Sequence, residues 1–433
     1  MKLPDTSEAR FAASVFSKLK AAGYEALLAG GCVRDLLLGC EPKDYDVATS
    51  ATPDEVEAVF ERTIAVGKAF GVIVVQGDEC AVEVATFRAD GDYSDGRRPD
   101  SVRFTNAQED AKRRDFTINA LFLDVDSGEV VDYVDGQIDL TRQIIRAVGD
   151  PVQRFKEDKL RLLRAVRFAA NLNFKIDDAT KAAITGASGD VATCSAERIQ
   201  AELTKLLVRG NASHGFRLMS ETGLLQVILP DIQVMRGVDQ PPQFHPEGDV
   251  FIHTMLALDK LPADASLTVL LGTLLHDVGK PGTFDDTTDR IRFNGNDKLG
   301  AEMARKILRR LKYSTEIVER VVSLVEDHLR FINVPNMKTS TLKRFFRKPY
   351  FEEDLALHRA DCLAGSGKLD TYEFSLQKLR EFEAEPEMLR PKLPIDGRDL
   401  IEMGLTPGPN FKAILAQVED EVLEGRISTR EEA

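Results

Sequence analysis

No uncharged apolar run in this 433-residue sequence is longer than Leu267–Leu275. That is about half the length a bilayer-spanning helix needs, so no membrane association is expected. The N-terminus, Met1-Lys-Leu-Pro-Asp-Thr-Ser-Glu, lacks a basic segment followed by an apolar one, and no signal peptide is expected. Cysteines are few: Cys32, Cys40, Cys80, Cys194 and Cys362 are odd in number and form no Cys-x-x-Cys. That excludes a disulfide framework and a zinc knuckle, and points to reduced thiols in a cytoplasm. Basic residues are outnumbered, 57 Lys+Arg against 71 Asp+Glu for a net charge of −14, which argues against a generic polyanion binder.

What is present is ordinary for a globular protein: 43% hydrophobic and 30% charged residues, with length enough for two to four domains. The charge is unevenly spread. Residues 142–209 carry 13 basic and 8 acidic groups, and residues 298–348 carry 13 and 5, whereas 351–433 carry 10 and 19. Two basic blocks in an acidic chain read either as solvated helix faces or as separate phosphate-contacting surfaces.

The first third mixes strand and helix signals. Apolar spacing predicts a helix over Phe11–Ala22, a strand over Tyr24–Ala29 and a short helix over Val33–Leu38. Tyr45–Ala48 is strand-like, and Thr52, Pro53 and Glu55 mark a capped helix to Phe60. Gly71–Gln76 and Cys80–Phe87 read as a strand pair, Ala89–Asp100 as a loop, and Glu109–Leu121 as one helix. A hairpin of Leu121–Val125 with Val130–Val134 follows. Beyond about Asp150 the signals are helical, including one helix over 155–171. Pro- and Gly-rich stretches divide the chain into 1–145, 146–229, 230–365 and 366–433.

Three constellations carry chemistry. Leu28-Ala29-Gly30-Gly31-Cys32-Val33-Arg34 places two glycines between a strand and a helix, where backbone can approach a phosphate and Arg34 adds charge. Asp44 and Asp46, two apart on a strand, face one side. Paired carboxylates repel unless a cation lies between them, the arrangement that holds Mg²⁺ for phosphoryl transfer. In Arg113-Arg114-Asp115-Phe116-Thr117-Ile118-Asn119, donors and acceptors suit a phosphate or ribose. In Glu157-Asp158-x-x-Arg161-x-x-Arg164-x-x-Arg167, one reading is a solvated face with an Asp158–Arg161 salt bridge. The other is a carboxylate and a guanidinium side by side, imitating a Watson–Crick edge.

On these motifs the whole chain resembles the DNA polymerase beta nucleotidyltransferase superfamily, and within it the bacterial (class II) CCA tRNA nucleotidyltransferase and poly(A) polymerase family. The resemblance implies an α+β fold: a nucleotidyltransferase head with a small mixed sheet, then an all-α neck, HD-like body and tail. It implies CTP, ATP and tRNA as substrates and partners, Mg²⁺ as cofactor, Asp44 and Asp46 as metal ligands, and Glu83 as a further catalytic carboxylate. Gly30, Gly31 and Arg34 would bind triphosphate, and Arg114, Asp115 and Asn119 would read the ribose. Asp158 and Arg161 would pair with C or A, with Arg164 and Arg167 contacting the nucleotide. The helix with Glu197, Arg198, Ile199, Glu202 and Leu203 would brace this template.

The loop Asp90–Pro99 favours addition of A, since CC-adding relatives lack one, and the acidic tail argues against polyadenylation. Addition of C, C and A is the first expectation, with A-only addition and polyadenylation left open. His253, His276-Asp277 and Asp361 follow the H…HD…D order of the HD phosphohydrolases, a second candidate site for a divalent metal and for hydrolysis of phosphate esters. Asn296 stands where HD-containing relatives generally have His, and His328 is a further candidate ligand. Lys338, Lys343, Arg344, Arg347 and Lys348, interleaved with Phe345 and Phe346, are the expected RNA-binding residues. No obligate protein partner is indicated.

Overall fold

The computed structural model describes residues 2–91, 93, 96, 99–287, 290–384, 387 and 389–433. They form two compact units, Met1–Ile228 and Leu229–Ala433. No helix among the described residues is long and apolar enough to cross a membrane.

The first unit opens with α1 (Ser7–Ala21), capped by the Thr6 side chain accepting the Ala9 N–H; the helix buries its own Ala12, Val15, Phe16 and Leu19. Then come β1 (Ala26–Ala29), α2 (Gly31–Leu37), β2 (Asp46–Thr49), α3 (Pro53–Val59), β3 (Thr63–Gly67), β4 (Val72–Gln76) and β5 (Ala81–Thr86). Short strands β6 (Arg88–Asp90) and β7 (Val102–Phe104) precede α4 (Ala107–Arg113), β8 (Phe122–Leu123), β9 (Val130–Val131) and α5 (Gly136–Arg142). The sheet has the order β3-β4-β5-β2-β1-β8-β9. It is mixed, because β2 and β5 run parallel while β1–β2 and β4–β5 run antiparallel. One face of the sheet buries Leu27, Ala29, Ala48, Phe87 and Phe122 against Ala107 and Ala111 of α4, leaving the strand ends free to carry polar groups.

The neck adds β10 (Ile144–Ile145), α6 (Pro151–Glu157), α7 (Arg161–Leu172), β11 (Lys175–Ile176), α8 (Asp178–Gly186), α9 (Ala196–Val208), α10 (Ala212–Glu221) and α11 (Leu224–Ile228). Two helices expected to be continuous are broken. The 109–121 segment stops at Arg114, which turns extended (φ −67°, ψ 164°). Phe116 then bridges Ala147, and the Thr117 N–H donates to the Arg146 carbonyl. The 155–171 segment breaks at Asp158, whose Oδ1 accepts the Leu160 N–H (3.1 Å); a short side chain that bonds its own backbone competes with the helix. Asp158 therefore does not share a helix face with Arg161 and Arg164. The expected loop 89–100 is flanked by the β6–β7 pair, with Asp90 opposite Val102. Its residues 92, 94, 95, 97 and 98 lie outside the described residues.

Gly136 shows how tightly the head is closed. A Cβ there would stand 2.2 Å from the Thr117 carbonyl oxygen and 2.9 Å from a Leu121 methyl. Gly136→Ala must push α5 off the turn Thr117–Asn119, at a cost of about 1–3 kcal/mol. A lowered thermal midpoint is the expected result.

The second unit is helical: α12 (Pro230–Gln233), α13 (Val250–Asp259), α14 (Leu267–Leu275), α15 (Asn296–Arg310), α16 (Thr315–Asp327), α17 (Thr339–Phe346), α18 (Phe351–Ala364), α19 (Asp370–Ala384), α20 (Gly397–Glu402) and α21 (Pro409–Leu423). Phe331, Phe345, Phe346, Phe351 and Phe382 form one aromatic core. Phe345 and Phe346 are thus packing residues, not an exposed stacking platform.

The basic residues around them differ from expectation. Arg344 pairs with Glu419 (2.9 Å) and Asp420, and Arg347 with Glu419 (2.7 Å). Lys343 donates to the Leu423 carbonyl (2.8 Å), and Lys348 pairs with Asp327. The 338–348 segment docks the acidic α21 and spends most of its charge doing so. Lys338 forms no ion pair or hydrogen bond through its side chain among the described residues. Arg344→Ala should lower the thermal midpoint by a few degrees, since half-exposed pairs contribute about 1 kcal/mol.

Candidate functional site

Strand register builds the first site. Asp46 starts β2 and is directly opposite Glu83 on the parallel strand β5. The neighbours Val47, Val82 and Val84 point inward and are buried, so alternation turns both carboxylates outward. Asp44, two residues before Asp46, is exposed. Crowding by protein, then repulsion from Glu83 and Asp44, raises Asp46 to about 6, against a smaller opposing pull from Arg114. A carboxylate crowded by two others, as Asp46 is, belongs to an arrangement completed by a cation. The donor set, all oxygen, suits Mg²⁺.

Beside it lies the glycine turn. Gly30 has φ +76°, and a Cβ there would stand 2.8 Å from Arg114 Nη1; glycine is required both by conformation and by this approach. Arg114 is held by Asp110 (3.1 and 3.0 Å) and donates to the Asn119 carbonyl (3.2 Å). Arg34 is buried, binds Asp35 (2.8 and 2.6 Å) and donates to Asn119 Oδ1 (2.7 Å). Asn119 Nδ2 donates to Asp115 Oδ1 (3.1 Å), and Arg164 Nε and Nη2 donate to Asp115 Oδ2 (2.9 and 2.6 Å). Burial raises Asp115, but Arg164, with Arg161 and the Asn119 amide, together outweigh it and hold the carboxyl at about 2. The structure therefore unites Arg34, Arg114, Asp115, Asn119 and Arg164 in one network, although Asp115 and Asn119 are not on one helix.

Arg167 binds the buried Glu202 of α9, and Arg164 Nη1 is 3.6 Å from the same carboxylate. The Phe168 ring lies under three guanidiniums: Arg167 at 3.9 Å, and Arg34 and Arg164 at 5.3 Å each. Phe168 had no sequence signal beyond its place after Arg167.

The base-template pair departs from its expected form. Asp158 does not pair with Arg161; it takes Arg198 of α9 (2.8 and 3.0 Å). Arg161 instead binds Glu157 (2.8 Å) and the carbonyls of Arg154 (3.1 Å) and Arg113 (3.2 Å). Each group is fixed separately, and the bracing helix supplies the partner of one of them.

In the second unit, α13 carries His253, the end of α14 carries His276-Asp277, α16 leads into His328, and α18 carries Asp361. His253 Nε2 is 3.3 Å from His276 Nε2, 2.9 Å from Asp361 Oδ1 and 3.8 Å from Asp277 Oδ2; His276 Nε2 is 3.2 Å from Asp277 Oδ2. The other ring nitrogens are committed. His276 Nδ1 donates to the Thr273 carbonyl (2.7 Å) and His328 Nδ1 to the Val325 carbonyl (2.6 Å). His253 Nδ1 faces Glu247 Oε1 (2.6 Å). With Nδ1 protonated, His276 and His328 turn Nε2 lone pairs inward, the tautomer that binds metal, and His253 Nε2 points into the same cluster. Burial pushes His253 down, but hydrogen bonds to Asp361 and Glu247 outweigh it and raise it to about 9; a proton serves there as the cation. His328 Nε2 is buried without a hydrogen-bond partner, while Asp277 Oδ2 meets His276 Nε2 and the Lys280 ammonium. The donor set and the unpartnered His328 nitrogen fit a divalent cation.

Asn296 is buried with its Nδ2 unpartnered. Glu247 and Lys280 escaped the sequence reading. Lys280 Nζ is 2.8 Å from Asp277 Oδ2 and 2.6 Å from Gln240 Oε1. Glu247 lies in a Pro- and Gly-rich stretch with no periodicity to place it. Gly279→Ala is expected to disturb this cluster, because its Cβ would meet the Asn296 carbonyl oxygen at 2.3 Å. Reduced metal content in the purified protein would check it.

Comparison with known proteins covers the segments that carry both clusters. Residues 26–146 match the model of the poly A polymerase head domain, 173–235 a probable RNA- and SrmB-binding site of polymerase A, and 245–365 the HD domain. The CCA-adding enzyme of Levilactobacillus brevis is 34% identical over 438 residues, covering 100% of this chain and 97% of the relative. That of Enterococcus faecalis is 33% identical, covering 98% and 94%. The crystal structure of the Bacillus stearothermophilus CCA-adding enzyme in complex with CTP superposes with a TM-score of 0.77 at 30% identity, covering 99% of this chain and 95% of that one. With its carboxylates, arginine network and HD cluster on such a scaffold, the chain belongs to the family of CCA-adding enzymes, which are tRNA nucleotidyltransferases.

Proposed function

We propose that this chain adds C, C and A to the 3′ end of tRNA from CTP and ATP, without a nucleic-acid template. The observation that carries the reading is the register-fixed opposition of Asp46 and Glu83 beside Asp44. Asp44 and Asp46 are the residues that would hold Mg²⁺, with Glu83 as the third carboxylate of the set. When bound, Mg²⁺ neutralises the triphosphate and lowers the pKa of the attacking 3′-hydroxyl. The chain's own residues do the positioning. Gly30 admits Arg114 to the turn where the triphosphate sits, and Arg34 orients Asn119 for the ribose. Asp115 holds Arg164 against Phe168. Asp158, oriented by Arg198, keeps free lone pairs for the amino group of C or A. Arg161 is fixed by two carbonyls and Glu157. G and U offer no amino group at that position, so a carboxylate rejects them. The parts fall at 1–145, 146–229, 230–365 and 366–433.

The test offers purified protein tRNAs ending before CCA, after CC and after CCA, with each labelled nucleotide. CMP addition to the first and AMP addition to the second are expected. Failure to add AMP to the CC-ended tRNA overturns the reading, and long A-tails on unstructured RNA favour the polymerase.

The converging Nε2 atoms favour a second role for the HD cluster: His253, His276, Asp277 and Asp361 hold a divalent metal that serves phosphate-ester hydrolysis. Elemental analysis should find a metal that His276→Ala loses and Asp44→Ala keeps, and cyclic-phosphate hydrolysis should follow the same division.

A further inference from the structure

We infer that the outward face of α15, rather than α17, is the surface of the second unit that contacts RNA phosphates; this rests on tRNA being the substrate. The inward face of α15 is settled: Gly300, Ala301, Ala304, Ile307 and Leu308 are buried. The outward face exposes Lys298, Lys306, Arg309 and Arg310, with Lys312 just beyond the helix end. Among the described residues Lys298, Lys306 and Lys312 form no ion pair or hydrogen bond through their side chains. The facing acids are few. Glu319 is shared by Arg305 and Arg309, the latter at 3.7 Å; Asp231 lies 3.9 Å from Arg310; and Glu302 is exposed on the same face.

In the same basic block, α17 presents a different picture. Arg344, Arg347 and Lys348 are neutralised by Glu419, Asp420 and Asp327. Apart from Lys338, the unpaired lysines named in 298–348 are therefore Lys298 and Lys306 on α15 and Lys312 just beyond it. Helix stability does not account for this placement. Arg309 and Arg310 in the last turn suit the helix dipole, but Lys298 is in the first turn, where a cation is opposed by it. At about 1.5 Å per residue, Lys298 and Arg309 are roughly 16 Å apart along the axis. An array of that length, on a protein of net charge −14, matches a run of phosphates on folded RNA rather than indiscriminate polyanion binding.

The experiment uses the full chain with Lys298→Gln, Lys306→Gln and Lys312→Gln combined, and a tRNA ending in CC as probe. Its dissociation constant is measured from about 50 to 200 mM salt, a range over which phosphate contacts weaken measurably. Tenfold weaker tRNA binding, on the order of that per few lost contacts, and a salt slope shallower by about 2 are expected. The KM for ATP and the thermal midpoint should not move, and the Lys→Arg triple variant should restore the slope. An unaltered slope in a variant of a wild-type enzyme that does add AMP overturns this inference alone. A loss of affinity with no change in slope, or a shifted ATP KM, also overturns it. A wild-type enzyme that adds no nucleotide to tRNA overturns the function and this surface together.

Discussion

Asp46→Asn should reduce CMP and AMP addition by at least about a thousandfold, some 4 kcal/mol of transition-state stabilisation. Asp46 sits between Asp44 and Glu83 and is the carboxylate they perturb most. Its removal takes away a metal-holding oxygen that neither neighbour can replace in the same register. The fold should not suffer. Asp46 is raised to about 6 in the folded chain, above the ordinary value near 4. Its ionised form is thus disfavoured by folding. Metal-free stability from this group is greatest when it is protonated and declines as pH rises through about 6. In a metal chelator the wild-type thermal midpoint should fall between about pH 4 and 6.5 and level off above, and Asp46→Asn should flatten that part of the profile. A variant that retains a tenth of the wild-type rate would remove Asp46 from the catalytic set.

The second large effect is expected at Glu202, which contacts no substrate in the proposed mechanism. It is buried on α9 and takes Arg167, itself 4% exposed. Glu202→Ala leaves that guanidinium without its counter-charge, a loss of about 3–5 kcal/mol. At about 2–4 °C per kcal/mol for a unit of this size, the thermal midpoint should drop by roughly 10 °C. Arg164, 3.6 Å from the same carboxylate, loses one of its two anchors and keeps Asp115. The surviving folded fraction should therefore show a raised nucleotide KM with little change in kcat. Glu202→Gln, which keeps an acceptor, should recover part of the stability. A midpoint within 2 °C of wild type for Glu202→Ala would show that Phe168 and solvent suffice to hold Arg167.

The folded chain reveals why some readings held and others did not. Gly30-Gly31 and His276-Asp277 are local patterns: the turn and the helix end that use them are set by residues within a few positions. Asp46 starts the expected strand, but Asp44 lies in the bend before it rather than on the strand. Helix continuity is a weaker inference. Both 109–121 and 155–171 have helical spacing, yet each breaks where a backbone group or a short carboxylate finds a better partner elsewhere. The edge strand β3 was missed, since its Thr63–Gly67 stretch is largely exposed and lacks the alternation of a half-buried strand.

By itself the sequence determined the order of motifs, the α+β head followed by helices, and which residue types could hold a metal. The tertiary structure alone decided the partners. Asp46 meets Glu83, 37 residues away, through parallel pairing of two strands. Asp158 belongs to Arg198 rather than to Arg161. Arg344 and Arg347 are taken up by Glu419 and Asp420 of α21, while Lys298 and Lys306 of α15 form no ion pair among the described residues. The physical reason is common to all three. A charged or hydrogen-bonding group takes the partner that chain closure brings within about 3 Å, and burial then fixes that choice against every competing partner of the same type.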